Sequence, residues 1–81
     1  MGNDEIRQKT KAFMAVHFKN HDFQDDEDIF SLGFVNSLFA MQLVMFVEKE
    51  FQMKVHDDDL LIDNFRTVNA VTDLVRRRLS A

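Results

Sequence analysis

Eighty-one residues, 46% of them hydrophobic, with nine Phe, no Pro and two Gly, predict one small helical domain whose core leaves little room for a deep enzyme pocket. The lack of cysteine excludes disulfides, thiolate catalysis and cysteine-based zinc sites. The net charge of −4 divides unevenly: +2 over residues 1–20, −9 over 21–63 and +3 over 64–81, so the acidic middle disfavours nucleic acid and favours basic protein surfaces.

The N-terminal stretch "MGNDEIRQKT" is polar, with no apolar segment of the export type, and Ile6 stands where a myristoylation signal needs Ser or Thr. No run is long and apolar enough to span a bilayer, and a cytoplasmic protein is expected. A first helix is predicted from an Asn3 N-cap, with Asp4 and Glu5 suiting the positive end of its dipole. It should reach about Phe18 and present Ile6, Phe13 and Val16, beside Thr10 and His17, on one face. His17 and His21 lie four apart, but Phe18 occupies the place where a metalloprotease helix needs Glu, and two histidines do not close a zinc site.

Residues 20–36, "NHDFQDDEDIFSLGFVN", form a long connection with Phe23, Ile29, Phe30 and Leu32 as its expected anchors. Neither its acidic run Asp25–Asp28 nor the later run Asp57–Asp59 has the layout of a calcium loop, and both read as solvated faces or helix caps. The second helix should open at Asn36 or Ser37 and close near Phe51. At about 100° per residue, Ala40, Leu43, Val47 and Phe51 form its core stripe. Ser37, Met41, Met45 and Glu48 lie on another side, flanked by Gln42 and Lys49. A short helix is expected at "DDDLLI", capped by His56 or Asp57. A final one, capped by Thr67, should bury Val68, Val71, Leu74 or Val75, and Leu79. Arg76, Arg77 and Arg78 suit the negative end of that last helix.

Ser37 is the residue that invites a chemical role. It stands in no G-x-S-x-G elbow, and no His or Asp is placed to make a triad, so it lacks an activating base within the chain. Its plain role would be a helix cap. Its surroundings, however, form an ordered set. Gly33, Asn36, Ser37 and Leu38 are followed by "MQLVMFVEKEF", then by "KVHDDDL" and "FRTVNAVTDLV", with the acidic "DDEDIFSLG" upstream.

This set resembles the acyl and peptidyl carrier proteins over about residues 5–79, where a Gly precedes an Asp-Ser-Leu that opens a long helix. The resemblance implies an all-α four-helix bundle with three main helices and a short third one, making residues 1–81 a single carrier domain. It implies that the chain is no enzyme. A phosphopantetheinyl transferase would attach a 4′-phosphopantetheine arm from coenzyme A to Ser37, and the arm would carry an acyl or aminoacyl thioester. It implies a docking surface of Asn36, Leu38, Met41, Gln42, Met45, Glu48 and Lys49, framed by Asp25–Asp28 and Asp57–Leu61. Two departures matter: Asn36 replaces the family's Asp, and Gln42 and Lys49 stand where fatty-acid carriers are acidic. The pattern is most similar to free-standing carriers of polyketide or hybrid peptide–polyketide antibiotic pathways, particularly those handling unusual malonyl-type extender units. Its expected partners are an acyl-loading enzyme, dehydrogenases, and an acyltransferase or ketosynthase, met by a monomeric carrier. The alternatives are a D-alanyl or fatty-acid carrier and, in another class, a non-catalytic acidic adaptor that uses Ser37 only as a cap.

Overall fold

The computed structural model describes residues 2–19, 21–31 and 37–80, with Ser37 and Ser80 described by their backbone only. Among these residues the structure is all-α. Helix α1 spans Asn3–His17, α2 Ser37–Glu50, α3 Ile62–Phe65 and α4 Val68–Ser80, with 3₁₀ turns at Ile29–Ser31 and Asp57–Asp59. The four-helix bundle with a short third helix is as expected. Leu32, Gly33 and Asn36 lie outside the described residues.

Helices α1 and α4 pack directly against each other, and α3 against α4. On α1 the buried stripe is Ile6, Thr10 and Met14, an i, i+4, i+8 spacing that keeps one face inward. Thr10 is tolerated there because its hydroxyl donates to the Ile6 carbonyl at 2.9 Å, and Thr72 on α4 does the same to Val68 at 2.9 Å. The expected Val16 is instead 68% exposed: it sits about 200° round the helix from Met14, the core residue missed in sequence. Asn3 is not the cap. Gly2 takes that place in extended conformation, and its carbonyl accepts the Ile6 N–H at 3.2 Å.

Helix α2 joins α1 through aromatic rings. Phe13 stacks on Phe46 with centroids 4.4 Å apart, and Phe39 meets Phe18 at 4.8 Å and Phe13 at 5.9 Å. Leu43, Val47 and Phe51 are buried as expected, but Phe39 leads the stripe, and the small Ala40 beside it is only half-buried. At the end of α2, Gln52 turns the chain with a left-handed φ of 49°, and the Met53 N–H bonds back to the Glu48 carbonyl at 3.2 Å.

The connection between α1 and α2 is tied down by Phe23 and Ile29, both buried, and by Asp25, Glu27 and Asp28 of its acidic run, of which Asp28 takes the expected capping role and Asp26 is exposed. Asp25 pairs with Lys11 at 3.0 Å and Arg7 at 3.6 Å, while its carbonyl accepts the Asn69 N–H at 3.0 Å. The Ile29 N–H bonds the Arg66 carbonyl at 2.7 Å, and Asp28 caps the following turn through the Phe30 N–H at 3.0 Å. Glu27 accepts from the Gln24 N–H at 3.1 Å and meets His21 Nε2 at 2.7 Å. The Gln24 hydrogen bond is the largest cause holding the Glu27 carboxyl below its ordinary range, with His21 adding to it against a desolvation cost.

Thr67 caps α4 as expected, its hydroxyl accepting the Ala70 N–H at 2.9 Å. Val68, Val71, Leu74 and Val75 are buried, whereas the expected Leu79, one turn beyond Val75 near the end of α4, is 43% exposed.

Candidate functional site

The start of α2 is where the sequence places its candidate serine, and Ser37 is indeed the first residue of that helix. Its side chain, and all of Asn36, lie outside the described residues. Leu38 is 67% exposed and Met41, one turn on, is 57% exposed, so one side of the opening turn of α2 lies at the surface while Phe39 on the other is buried. The positive end of the dipole of this fourteen-residue helix lies at this turn, a setting that favours an anion.

The face continues along α2 through Met45, 63% exposed, with Gln42 and Lys49 exposed beside it. Glu48, expected among these residues as a docking group, is half-buried and bonded to the returning chain. Its Oε2 accepts the Val55 N–H at 2.9 Å, so this carboxylate fastens the chain that returns from α2. Among the expected docking residues described by their side chains, Leu38, Met41, Gln42, Met45 and Lys49 are exposed and Glu48 is half-buried.

Next to this face lies an apolar groove of about 150 Å³. Ala40, Met41 and Val44 of α2 line one wall and Leu60, Leu61 and Ile62 the other, with Phe30 and Phe65 completing it. Leu60 and Leu61 belong to the expected frame Asp57–Leu61, whereas Phe30, Ile62 and Phe65 are additions that the structure makes to it. Its only visible signal was "LLI" after three aspartates, an apolar triplet with no helical partner positions.

That second wall is anchored by Asp59. Of the two roles expected for the run Asp57–Asp59, solvated face or helix cap, Asp59 takes the cap by accepting the His56 N–H at 3.2 Å, but its side chain is also 9% exposed and its two oxygens accept Nε and Nη2 of Arg78, each at 2.7 Å. The Arg78 hydrogen bonds are the foremost cause holding the Asp59 carboxyl below its ordinary value. Burial opposes them and the His56 N–H assists. The same pair pushes the Arg78 guanidinium up.

Compared with known protein families, residues 5–75 match the phosphopantetheine attachment site family. The chain belongs to that family. It is thus a carrier protein that receives 4′-phosphopantetheine and performs no catalysis itself, and phosphopantetheinyl transferases and biosynthetic enzymes are the partners of such carriers. A comparison with curated proteins gives no match. No helix among the described residues is long and apolar enough to cross a membrane.

Proposed function

We propose that residues 1–81 are one carrier domain and that Ser37 bears the 4′-phosphopantetheine arm. What supports the reading is one observation: Ser37 opens α2 inside the matched span, on a turn where the neighbouring Leu38 and Met41 are exposed. The residues there fit the group. The positive end of the helix dipole at Ser37 suits a phosphodiester, and exposed Leu38 and Met41 leave the turn open to an approaching enzyme. When bound, the arm supplies a terminal thiol that holds an acyl or aminoacyl group as a thioester. The chain's own part is to present the serine, to bind partners and to need no base of its own.

In the attachment step the Ser37 oxygen attacks the phosphorus that carries pantetheine in coenzyme A. The bond from that phosphorus to the adenosine bisphosphate half breaks, and the hydroxyl proton passes to a base of the transferase. Asn36, Leu38, Met41, Gln42, Met45 and Lys49 form the docking surface, with Glu48 holding it from behind. The cargo belongs to a polyketide or hybrid peptide–polyketide antibiotic pathway that uses a malonyl-type extender unit. This is favoured by the largely apolar set of exposed residues Leu38, Met41, Gln42, Met45 and Lys49, unlike the acidic helix that fatty-acid enzymes recognise. A monomeric carrier in the cytoplasm would meet an acyl-loading enzyme, dehydrogenases, and an acyltransferase or ketosynthase.

Intact-protein mass spectrometry after incubation with coenzyme A and a promiscuous transferase tests the assignment. The wild-type chain should gain one phosphopantetheinyl group, and Ser37→Ala should gain none while keeping its helical circular dichroism. A wild-type mass that does not change, or a Ser37→Ala chain that still gains the group, rejects it.

A further inference from the structure

The wall of the groove formed by Leu60, Leu61 and Ile62 is a mechanical puzzle. These three side chains are each about half exposed, so packing gives them little reason to keep one position against α2. What precedes them is different. Asp59 is gripped by Arg78 through two parallel hydrogen bonds of 2.7 Å and also accepts the His56 N–H at 3.2 Å. Its carbonyl accepts the Leu61 N–H at 2.8 Å and the Asn64 side-chain amide at 2.9 Å. One residue thus joins the 3₁₀ turn, the start of α3 and the last turn of α4.

We propose that the Asp59–Arg78 pair is a latch. Arg78, at the far end of α4, holds Leu60, Leu61 and Ile62 as the wall facing Met41 and Val44, and so sets how tightly the α2 face binds the phosphopantetheinyl transferase. The effect on the transferase rests on the reading of Ser37 and α2 given above; the effect on the wall does not. Asp59 and Arg78 are positioning residues, touching neither arm nor cargo. A guanidinium suits the task because its planar fork fixes both carboxylate oxygens, which a lysine ammonium at the same place cannot do.

The test uses Arg78→Gln and Arg78→Lys in the full chain. Arg78 is one-third exposed on the final turn of α4, so neither change opens the core. With transferase and coenzyme A, Arg78→Gln should raise KM for the carrier about fivefold or more with kcat within about twofold, and Arg78→Lys should recover part of the loss. Amide exchange should quicken across residues 60–65 and stay unchanged across the buried stripe of α1. An unaltered KM, or exchange that quickens equally in α1 and at 60–65, overturns the proposal, since the pair then contributes only general stability. Should the wild-type chain accept no arm, the Ser37 reading fails by itself. The exchange measurement still decides the latch, and unchanged protection at 60–65 in Arg78→Gln refutes it.

Discussion

Replacing Glu48 by Ala separates two roles that one carboxylate on the docking helix could have. Its Oε2 accepts the Val55 N–H at 2.9 Å and its backbone carbonyl accepts Met53 N–H at 3.2 Å, so Glu48 holds the chain as it leaves α2. Ala keeps the carbonyl bond and deletes the carboxylate one. Hydrogen bonds to charged groups contribute about 1.5–3 kcal/mol, and exposure of the half-buried Glu48 puts this one near the lower end. Ala is the better helix former by a few tenths of a kcal/mol, which offsets part of the loss. The net expectation is about 1–2 kcal/mol, or a fall in Tm of roughly 5–15 °C for a chain of this size. Glu48→Gln retains a neutral acceptor and should lose about half as much. Lys49→Ala, one residue on and exposed, should stay within about 0.5 kcal/mol of wild type. Thermal melts followed by circular dichroism, with urea titrations to check that the m-value is constant, measure all three. A Glu48→Ala melt within about 1 °C of wild type would show that the Val55 bond contributes nothing. Transferase kinetics complete the argument: a fastening Glu48 lets the Gln variant keep its KM, and a rise in that KM would return Glu48 to the docking surface.

Two further outcomes follow from the described geometry. Because the folded carboxyl of Asp59 titrates below its ordinary 3.8, its contribution is present above that value and is lost as pH falls through the lower folded pKa. In urea titrations the stability gap between wild type and Asp59→Asn should hold steady from about pH 7 to 5 and shrink below about pH 4; a gap undiminished at about pH 2 contradicts this. Met45→Asp, on the exposed face of α2, should raise the transferase KM while shifting stability by no more than about 0.5 kcal/mol, and an unchanged KM removes Met45 from the docking surface.

Helix boundaries and caps were legible where local chemistry decides them. Thr67 caps α4, and Ser37 and Phe51 bracket α2 to within a residue, because side-chain caps and apolar periodicity act over a few positions. Which residue of a stripe goes inward was less legible. Val16 and Met14, or Ala40 and Phe39, differ by a partial rotation of the helix, and that rotation is set by the partner's rings: Phe13 and Phe18 on one side, Phe39 and Phe46 on the other. Least legible were the long-range polar bonds. Nothing near Asp59 in sequence announces Arg78, nineteen positions away, and nothing near Glu48 marks its use by Val55. Charge at these positions looked like surface because sequence shows a residue's type without showing its partner.

The division of charge between a basic start, an acidic middle and a basic end now has a structural cause. Arg7 and Lys11 pair with Asp25, Lys9 with Glu50, Arg66 with Asp28 and Arg78 with Asp59, so the cations of α1 and the C-terminal stretch secure the acidic middle. Most of these pairs are partly exposed and each adds little to stability, but together they fix where the loop and the 57–59 turn lie. The outward face of α2 stands apart from this arrangement, offering Leu38, Met41, Gln42, Met45 and Lys49. An acidic chain thus carries one almost neutral, apolar strip. If partners dock on it as proposed, contact gains its free energy from buried apolar area and shape more than from attraction between opposite charges, and added salt should weaken it little.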